Sequence, residues 1–97
     1  MIPAPAVIAF LQEREILRLY DALSEESRRR LVLYAFYANG ERRHGGGGWK
    51  TAYAQPPKEP DLPLLRRILA DASPAETDRI YRQAQAMRDA EKKPEGD

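Results

Sequence analysis

One stretch of the chain, residues 44–51, combines a histidine, four glycines and a Lys-Thr pair that could do chemistry. A histidine followed by glycines resembles part of the oxyanion hole of some esterases, but the Gly-x-Ser-x-Gly nucleophile turn that this chemistry needs occurs nowhere in the sequence. Lys50-Thr51 resembles the end of a phosphate-binding P-loop, but that alignment places His44 and Trp49 where the loop requires glycine. The stretch therefore predicts neither acyl transfer nor nucleotide binding.

Ordinary catalytic side chains are scarce. The 97 residues include one histidine, His44, and no cysteine, which excludes a multi-histidine site, a thiolate metal site and a cysteine nucleophile. Neighbouring carboxylates occur at Glu13 with Glu15 and at Glu25 with Glu26, but side chains so spaced diverge around a helix. We therefore expect a protein that is not an enzyme and that uses no metal and no cofactor.

The distribution of charge fits nucleic-acid binding as an alternative function. The chain has a net charge of +1, but residues 27–53 carry six basic residues and one acid, a net charge of +5. A basic patch interleaved with aromatic rings can hold phosphates while the rings stack on bases. An accessory nucleic-acid-binding subunit would use Arg42, Arg43, Trp49, Lys50 and Tyr53.

The elements that would position these side chains are helices, of which four can be placed from periodicity and end signals. The first begins after Pro5 and ends at about Leu23. Five residues share one apolar face at helical spacing: Ile8, Ile16, Leu19, Tyr20 and Leu23. Other directions around the same cylinder are also apolar, at Val7, Phe10, Leu11 and Leu17. A helix apolar on several sides is buried by several neighbours or by a second molecule.

The second helix begins after Ser24, whose hydroxyl is predicted to cap it. The predicted end lies at about Ala38, because Asn39-Gly40 forms a typical left-handed stop. Between these limits, residues 31–38 contain no polar side chain apart from two tyrosine hydroxyls. Eight successive helical positions point in every direction, so this segment requires burial all round and is expected at the centre of the fold.

A long connection and two further helices follow. Residues 40–60 have no hydrophobic periodicity and are rich in glycine and proline, and connections of this length are commonly functional or disordered. Asp61 is predicted to cap a short third helix with a narrow apolar stripe at Leu65, Ile68, Leu69 and Ala72. Ser73-Pro74 starts a fourth helix that runs to about Lys92. Its expected inward positions are Thr77, Ile80, Tyr81, Ala84 and Met87.

These elements predict one all-α domain over residues 1–97. It is a small four-helix arrangement with a long Gly/Pro-rich loop at about residues 40–60 and a frayed tail at residues 93–97. The uncharged residues 2–11 lack a basic leader and are too few to span a membrane, which takes about 20. We therefore expect a cytoplasmic protein without a membrane partner, and the use of Ala and Arg is typical of a GC-rich bacterial or phage genome.

The apolar excess indicates a function. A chain of this size buries only about 60–68% of its unfolded surface, so the first helix and residues 31–38 are expected to exceed what the chain can cover alone. Exposed apolar patches on monomers usually mark interfaces. We therefore expect a small regulator, inhibitor or adaptor that binds a protein partner and self-associates as a homo-oligomer. The predicted protein-binding residues are Val7, Phe10, Leu11, Leu33, Tyr34, Phe36, Tyr37 and Trp49.

Overall fold

A computed structural model describes the backbone of residues 4–44 and 57–92, and the side chains of residues 7–42 and 57–92. Within those ranges the chain forms four helices and no strand, which confirms the all-α prediction for this part of the protein. The helices are α1 (Ala4–Ala22), α2 (Glu25–His44), α3 (Leu62–Asp71) and α4 (Pro74–Lys92). Residues 45–56 of the predicted loop lie outside the described residues, as does the predicted frayed tail.

Serine side chains begin two of the helices, as the sequence predicts. The hydroxyl of Ser24 accepts a hydrogen bond from the backbone N–H of Ser27 at 3.3 Å, and that of Ser73 accepts one from Glu76 at 3.1 Å. Each bond satisfies a backbone donor that has no partner inside its helix. Asp61 does precede α3, but its side chain makes no capping hydrogen bond.

The core lies where the apolar faces of all four helices meet. Most residues of the predicted apolar stripes of α3 and α4 are buried in this core, because the helical period of 3.6 residues places them on one face. The buried cluster consists of Ile16, Leu23, Leu31, Val32, Ala35, Leu65, Ile68, Leu69, Ile80 and Ala84. α4 packs most extensively against α1 and also contacts α2, so α2 shares the central position with α4.

Side-chain contacts fix the directions of the helices. Gln12 of α1 donates a hydrogen bond to Asp78 of α4 at 2.8 Å, and Ser24, just after α1, meets Glu91 near the end of α4. α1 and α4 are therefore parallel. Arg42 near the end of α2 contacts Glu76 at the start of α4, so α2 runs antiparallel to both.

α3 is parallel to α2, which explains why the connection between them is long. Asp61, before α3, borders the same surface depression as Arg28 near the start of α2, whereas Asp71 at the end of α3 contacts Arg42. The chain must therefore return along the 20 residues of α2, about 30 Å at 1.5 Å per residue, before α3 begins. A short hairpin loop could not make that connection.

The end of α2 differs from the sequence prediction. The helix continues through Asn39 and Gly40 to His44 instead of stopping at about Ala38. Asn39 is buried, and its amide donates to the carboxylates of Asp71 at 3.0 Å and Glu76 at 3.2 Å. These contacts with distant residues favour the helical conformation over a left-handed stop, and the first residues of the predicted loop, 40–44, are therefore helical.

Glu91 of α4 holds the start of α2. Its carboxylate accepts hydrogen bonds from the backbone N–H of Ser24 at 3.0 Å, from the Ser24 hydroxyl, and from the Ser27 hydroxyl at 2.6 Å. These bonds lower the pKa of Glu91 to about 2, chiefly through the two hydroxyls. A negative charge at this position also complements the positive end of the α2 dipole.

Glu91→Gln is expected to reduce the acid sensitivity of the fold. Because the folded-state pKa of Glu91 lies below the ordinary value of 4.5, its stabilisation is present above pH 4.5 and is lost as the pH falls towards 2. Urea unfolding at a series of pH values should therefore show a shallower decline for Glu91→Gln than for wild type across this window. The matched control is Glu59→Gln at an exposed position. Equal slopes for wild type and Glu91→Gln would contradict the contact.

Candidate functional site

The first two turns of α1 expose four large apolar side chains. The exposed fractions are 38% for Val7, 53% for Ile8, 59% for Phe10 and 57% for Leu11. We call these four residues the α1 patch. They are the large apolar side chains that the described part of the chain leaves exposed.

The position of α1 relative to α4 explains part of this exposure. Gln12, in the third turn of α1, meets Asp78, in the second turn of α4. Because the two helices are parallel, α1 extends about one turn beyond the start of α4 at Pro74. Only the first turn of α1, up to about Val7, therefore lies beyond α4, whereas the completely buried Ile16 lies well within its length.

The α1 patch also lies around the outward face of the helix. At 100° per residue, Val7 points almost opposite to the buried Ile16 and Leu23, and Leu11 points about 120–140° away from them. In the second half of α1 the same outward positions are charged and exposed, at Arg14, Arg18 and Asp21. The outer stripe of α1 is therefore apolar near its start and charged near its end.

One residue of the α1 patch was expected elsewhere. The helical period assigns Ile8 to the same buried face as Ile16, but Ile8 is more than half exposed. Ile8 borders Tyr81 of α4 across an open surface depression, so its exposure depends on how closely the two helices pack there, which the period does not specify. Val7, Phe10 and Leu11, by contrast, are predicted protein-binding residues that the structure brings together on one surface.

A shallow depression adjoins the α1 patch on the side of α4. It has a volume of about 380 Å³ and is lined by Ile8, Leu11, Gln12, Glu15 and Tyr81. Its floor and walls are mainly apolar, and its one carboxylate, Glu15, is bonded to Arg18 at 2.5 Å. This depression extends the apolar surface of the patch towards α4.

Four of the charged side chains around the patch are paired within the chain, whereas Arg14 forms no ion pair with another described residue. Glu15 pairs with Arg18, and Asp78 pairs with Arg82 at 2.8 Å. Hydrogen bonds from Arg82 and then from Gln12 lower the pKa of Asp78. Among the described residues, the rim of the patch is therefore polar and carries a small net charge.

The predicted α2 binding residues are covered by their own chain to a greater extent. Leu33, Tyr34, Phe36 and Tyr37 are half-buried, and no residue of the segment 31–38 is exposed. The Arg79 guanidinium lies 5.9 Å from the centre of the Tyr34 ring, and the rings of Phe36 and Tyr37 lie 5.5 Å apart. The surplus apolar surface that the sequence predicts is therefore found on α1, and Trp49 lies outside the described residues.

A buried polar cluster joins the end of α2 to the turn between α3 and α4. Glu76 is only 4% exposed and accepts hydrogen bonds from the Nε of Arg42 and the amide of Asn39. Arg42 also donates through Nη2 to Asp71, at 2.6 Å to the side chain and 2.9 Å to the backbone oxygen. The hydrogen bond with Glu76 is the main cause that raises the pKa of Arg42.

This cluster changes the interpretation of Arg42. The sequence suggests that Arg42 could contact phosphates in the nucleic-acid-binding alternative. In the structure its guanidinium bridges two carboxylates of its own chain. The sequence contains one local signal for the cluster: Asn39 and Arg42 are three residues apart and share a helix face. The side chains of Arg43, Trp49, Lys50 and Tyr53 lie outside the described residues.

No group of three or more His, Cys, Asp or Glu side chains in residues 7–42 and 57–92 is arranged to hold a metal ion. In the same ranges every buried side-chain nitrogen or oxygen has a hydrogen-bond partner. None of the four helices has the length and apolar character needed to cross a bilayer.

Comparisons with protein-family models, with curated proteins and with solved structures found no match for the chain. Function is therefore inferred from the contacts and exposure of the described residues.

Proposed function

We propose that the protein is a small non-enzymatic regulator, inhibitor or adaptor that acts by stoichiometric protein–protein binding, and that it binds through the α1 patch. The observation that carries this proposal is the exposure of Val7, Ile8, Phe10 and Leu11 on two successive helical turns. Contiguous apolar patches of a few hundred Å² are the largest that ordinary monomers expose, and they often have a function.

The energetics of the α1 patch suit recognition. Burying a Phe, Leu or Ile side chain completely contributes about 1.5–3 kcal/mol relative to exposure, so the four side chains can supply the centre of an interface. They lie on a helix, and the backbone there is already ordered before binding. A partner therefore meets a preformed surface, which reduces the entropy lost on association.

The surroundings of the patch favour binding over catalysis. An active site normally needs a concave pocket in which several polar groups converge. The α1 patch is the convex side of a helix, and Glu15 in the adjoining depression is already bonded to Arg18. The cysteine-free chain suits a reducing compartment, and the proposal places the protein in the cytoplasm.

The alternative of nucleic-acid binding requires a cost that protein binding does not. Arg42 is the residue of that alternative whose side chain is described, and it is bonded to Asp71 and Glu76. Phosphate contact by Arg42 would have to break these bonds and leave the buried Glu76 carboxylate without its charged partner. Protein binding at the α1 patch disturbs no internal contact.

Site-specific photo-crosslinking tests the proposal. Phe10 is replaced by the photoreactive aromatic p-benzoylphenylalanine, and the purified protein is irradiated in a lysate of the source organism. We expect a discrete protein adduct that unlabelled wild-type protein competes away and that the additional change Leu11→Asp reduces. The matched control carries the same probe at exposed Arg66 on α3 and should give no such adduct. Equal labelling from both positions would contradict the proposal.

A further inference from the structure

We propose that the occupant of the α1 patch is a second copy of the same chain, with the two α1 helices packed antiparallel across the patch. This inference rests on the proposed function, because it names the partner for the same surface. Three features of the described residues carry it: the shape of the patch, the charges on its rim and the sequence of its outer stripe.

The shape of the patch suits another helix. The α1 patch is the convex side of a regular helix, and Val7, Phe10 and Leu11 point away from the buried Ile16, so a second helix can lie along it. Helices pack in this way through side chains spaced three and four residues apart, which is the spacing of Val7, Phe10 and Leu11. A second copy of α1 presents the same spacing.

The size of the patch indicates a modest interface. A standard interface buries about 800 Å² per partner, and the α1 patch alone offers a few hundred. The polar rim, with Gln12, Arg14 and Glu15, supplies further area around the apolar centre. We therefore expect a small interface and dissociation constants in the micromolar range.

Rim charges favour a second copy over a foreign protein. A twofold axis brings each rim residue close to its own counterpart, so a rim of one sign repels itself. Here Glu15 pairs with Arg18 and Asp78 pairs with Arg82 within each chain, which leaves Arg14 as the unpaired charge among the described rim residues. A foreign partner is usually selected by a complementary charged field, and this rim does not offer one.

The outer stripe of α1 determines the relative direction of the two helices. In a parallel pair Arg14 and Arg18 would lie against their own counterparts and repel. In an antiparallel pair that crosses near Ala9, Val7 of one copy lies against Leu11 of the other. The arginines then lie outside the contact, so only the antiparallel arrangement brings the apolar residues together without opposing like charges.

Sedimentation equilibrium tests whether the second copy binds. We expect wild-type protein to sediment at twice the mass of one chain at concentrations on the order of 100 µM and to dissociate on dilution, as a small interface requires. Leu11→Asp should weaken association at least tenfold with unchanged helical circular dichroism. Ala70→Asp, at an exposed position on α3, is the control and should associate like wild type. A wild-type protein that stays monomeric at these concentrations overturns the inference.

Engineered cysteines test the direction, since the natural chain has none. A disulfide needs Cα atoms within about 7 Å, so it reports close approach. Under mild oxidation we expect Val7→Cys to crosslink with Leu11→Cys when the two are mixed. Arg18→Cys should not crosslink. Self-crosslinking of both Val7→Cys and Arg18→Cys would show the parallel arrangement and overturn the antiparallel one.

The second-copy inference and the proposed function can be contradicted separately. A monomer whose photoreactive residue at position 10 captures a foreign protein overturns the second-copy inference and supports the proposed function. A dimer with the expected disulfides that captures no foreign protein supports the second-copy inference and contradicts the role of regulator, inhibitor or adaptor.

Discussion

Arg42→Ala is expected to lower the free energy of unfolding by about 2–3 kcal/mol, even though Arg42 lies partly at the surface. Its guanidinium is the charged partner of Glu76, whose side chain is only 3% exposed. Without Arg42, the buried carboxylate retains the amide of Asn39 and loses its positive charge. Removing one member of a buried ion pair is costly because the other remains desolvated.

The expected loss of unfolding free energy is smaller than the largest losses seen when a buried ion pair is broken. Arg42 is itself 36% exposed, so water can reach part of the space that it leaves. Asp71 is also half exposed and can exchange its lost hydrogen bond for one with water. The penalty therefore arises mainly from Glu76.

Arg82→Ala is the matched control for this prediction. Arg82 also pairs with a carboxylate, that of Asp78, but its side chain is 77% exposed. Exposed pairs one turn apart on a helix contribute about 0.3–0.5 kcal/mol, so this variant should be close to wild type in urea unfolding. Equal losses for Arg42→Ala and Arg82→Ala would contradict the buried cluster.

The features of the fold that the sequence predicts correctly, helix caps and apolar stripes, depend on interactions between neighbouring residues. Ser24 and Ser73 begin helices because a hydroxyl at that position satisfies a backbone N–H of the next turn, whatever the rest of the chain does. The stripe at Leu65, Ile68 and Leu69 is buried because a helix with one apolar face must place it against the core. Both are properties of a few neighbouring residues, so they can be predicted without knowledge of the fold.

Contacts between distant residues explain what could not be predicted. Asn39-Gly40 is a residue pair typical of a helix stop. In the structure, Asn39 stays in the helix because it binds Asp71 and Glu76, which belong to α3 and α4. Asp71 and Glu76 also bind Arg42, which the sequence alone gives no reason to pair with a carboxylate. The pairing of Glu91 with Ser24 and Ser27 likewise depends on the path of α4, which local patterns do not specify.

The candidate site was predicted in part for the same reason. Val7, Phe10 and Leu11 are assigned to protein binding because they lie off the main apolar face, and that property is local. The coverage of residues 31–38 depends on how α3 and α4 pack against α2, and the exposure of Ile8 depends on how closely α4 packs beside it. Neither can be read from the period of one helix.

Ile8 and Ile16 offer the sharpest test of this difference, because they are the same residue type on the same helix and the period assigns them to one face. Ile16→Ala is expected to lower the free energy of unfolding by about 3 kcal/mol, since Ile16 is completely buried and truncation leaves a cavity. Ile8→Ala is expected to cost less than about 1 kcal/mol, since Ile8 is 53% exposed and alanine is the better helix former. Urea unfolding at sub-micromolar concentration, where association is negligible, measures both.

The outcome for Ile8 also decides whether the α1 patch is available to a partner. If Ile8→Ala destabilised the isolated chain as much as Ile16→Ala, the first turns of α1 would be packed against their own molecule, and the patch could not receive another. If it leaves the isolated chain stable but weakens association at high concentration, Ile8 contributes to binding and not to folding. Because a buried side chain cannot serve both an internal core and an external partner at once, these two measurements on one substitution separate the two roles.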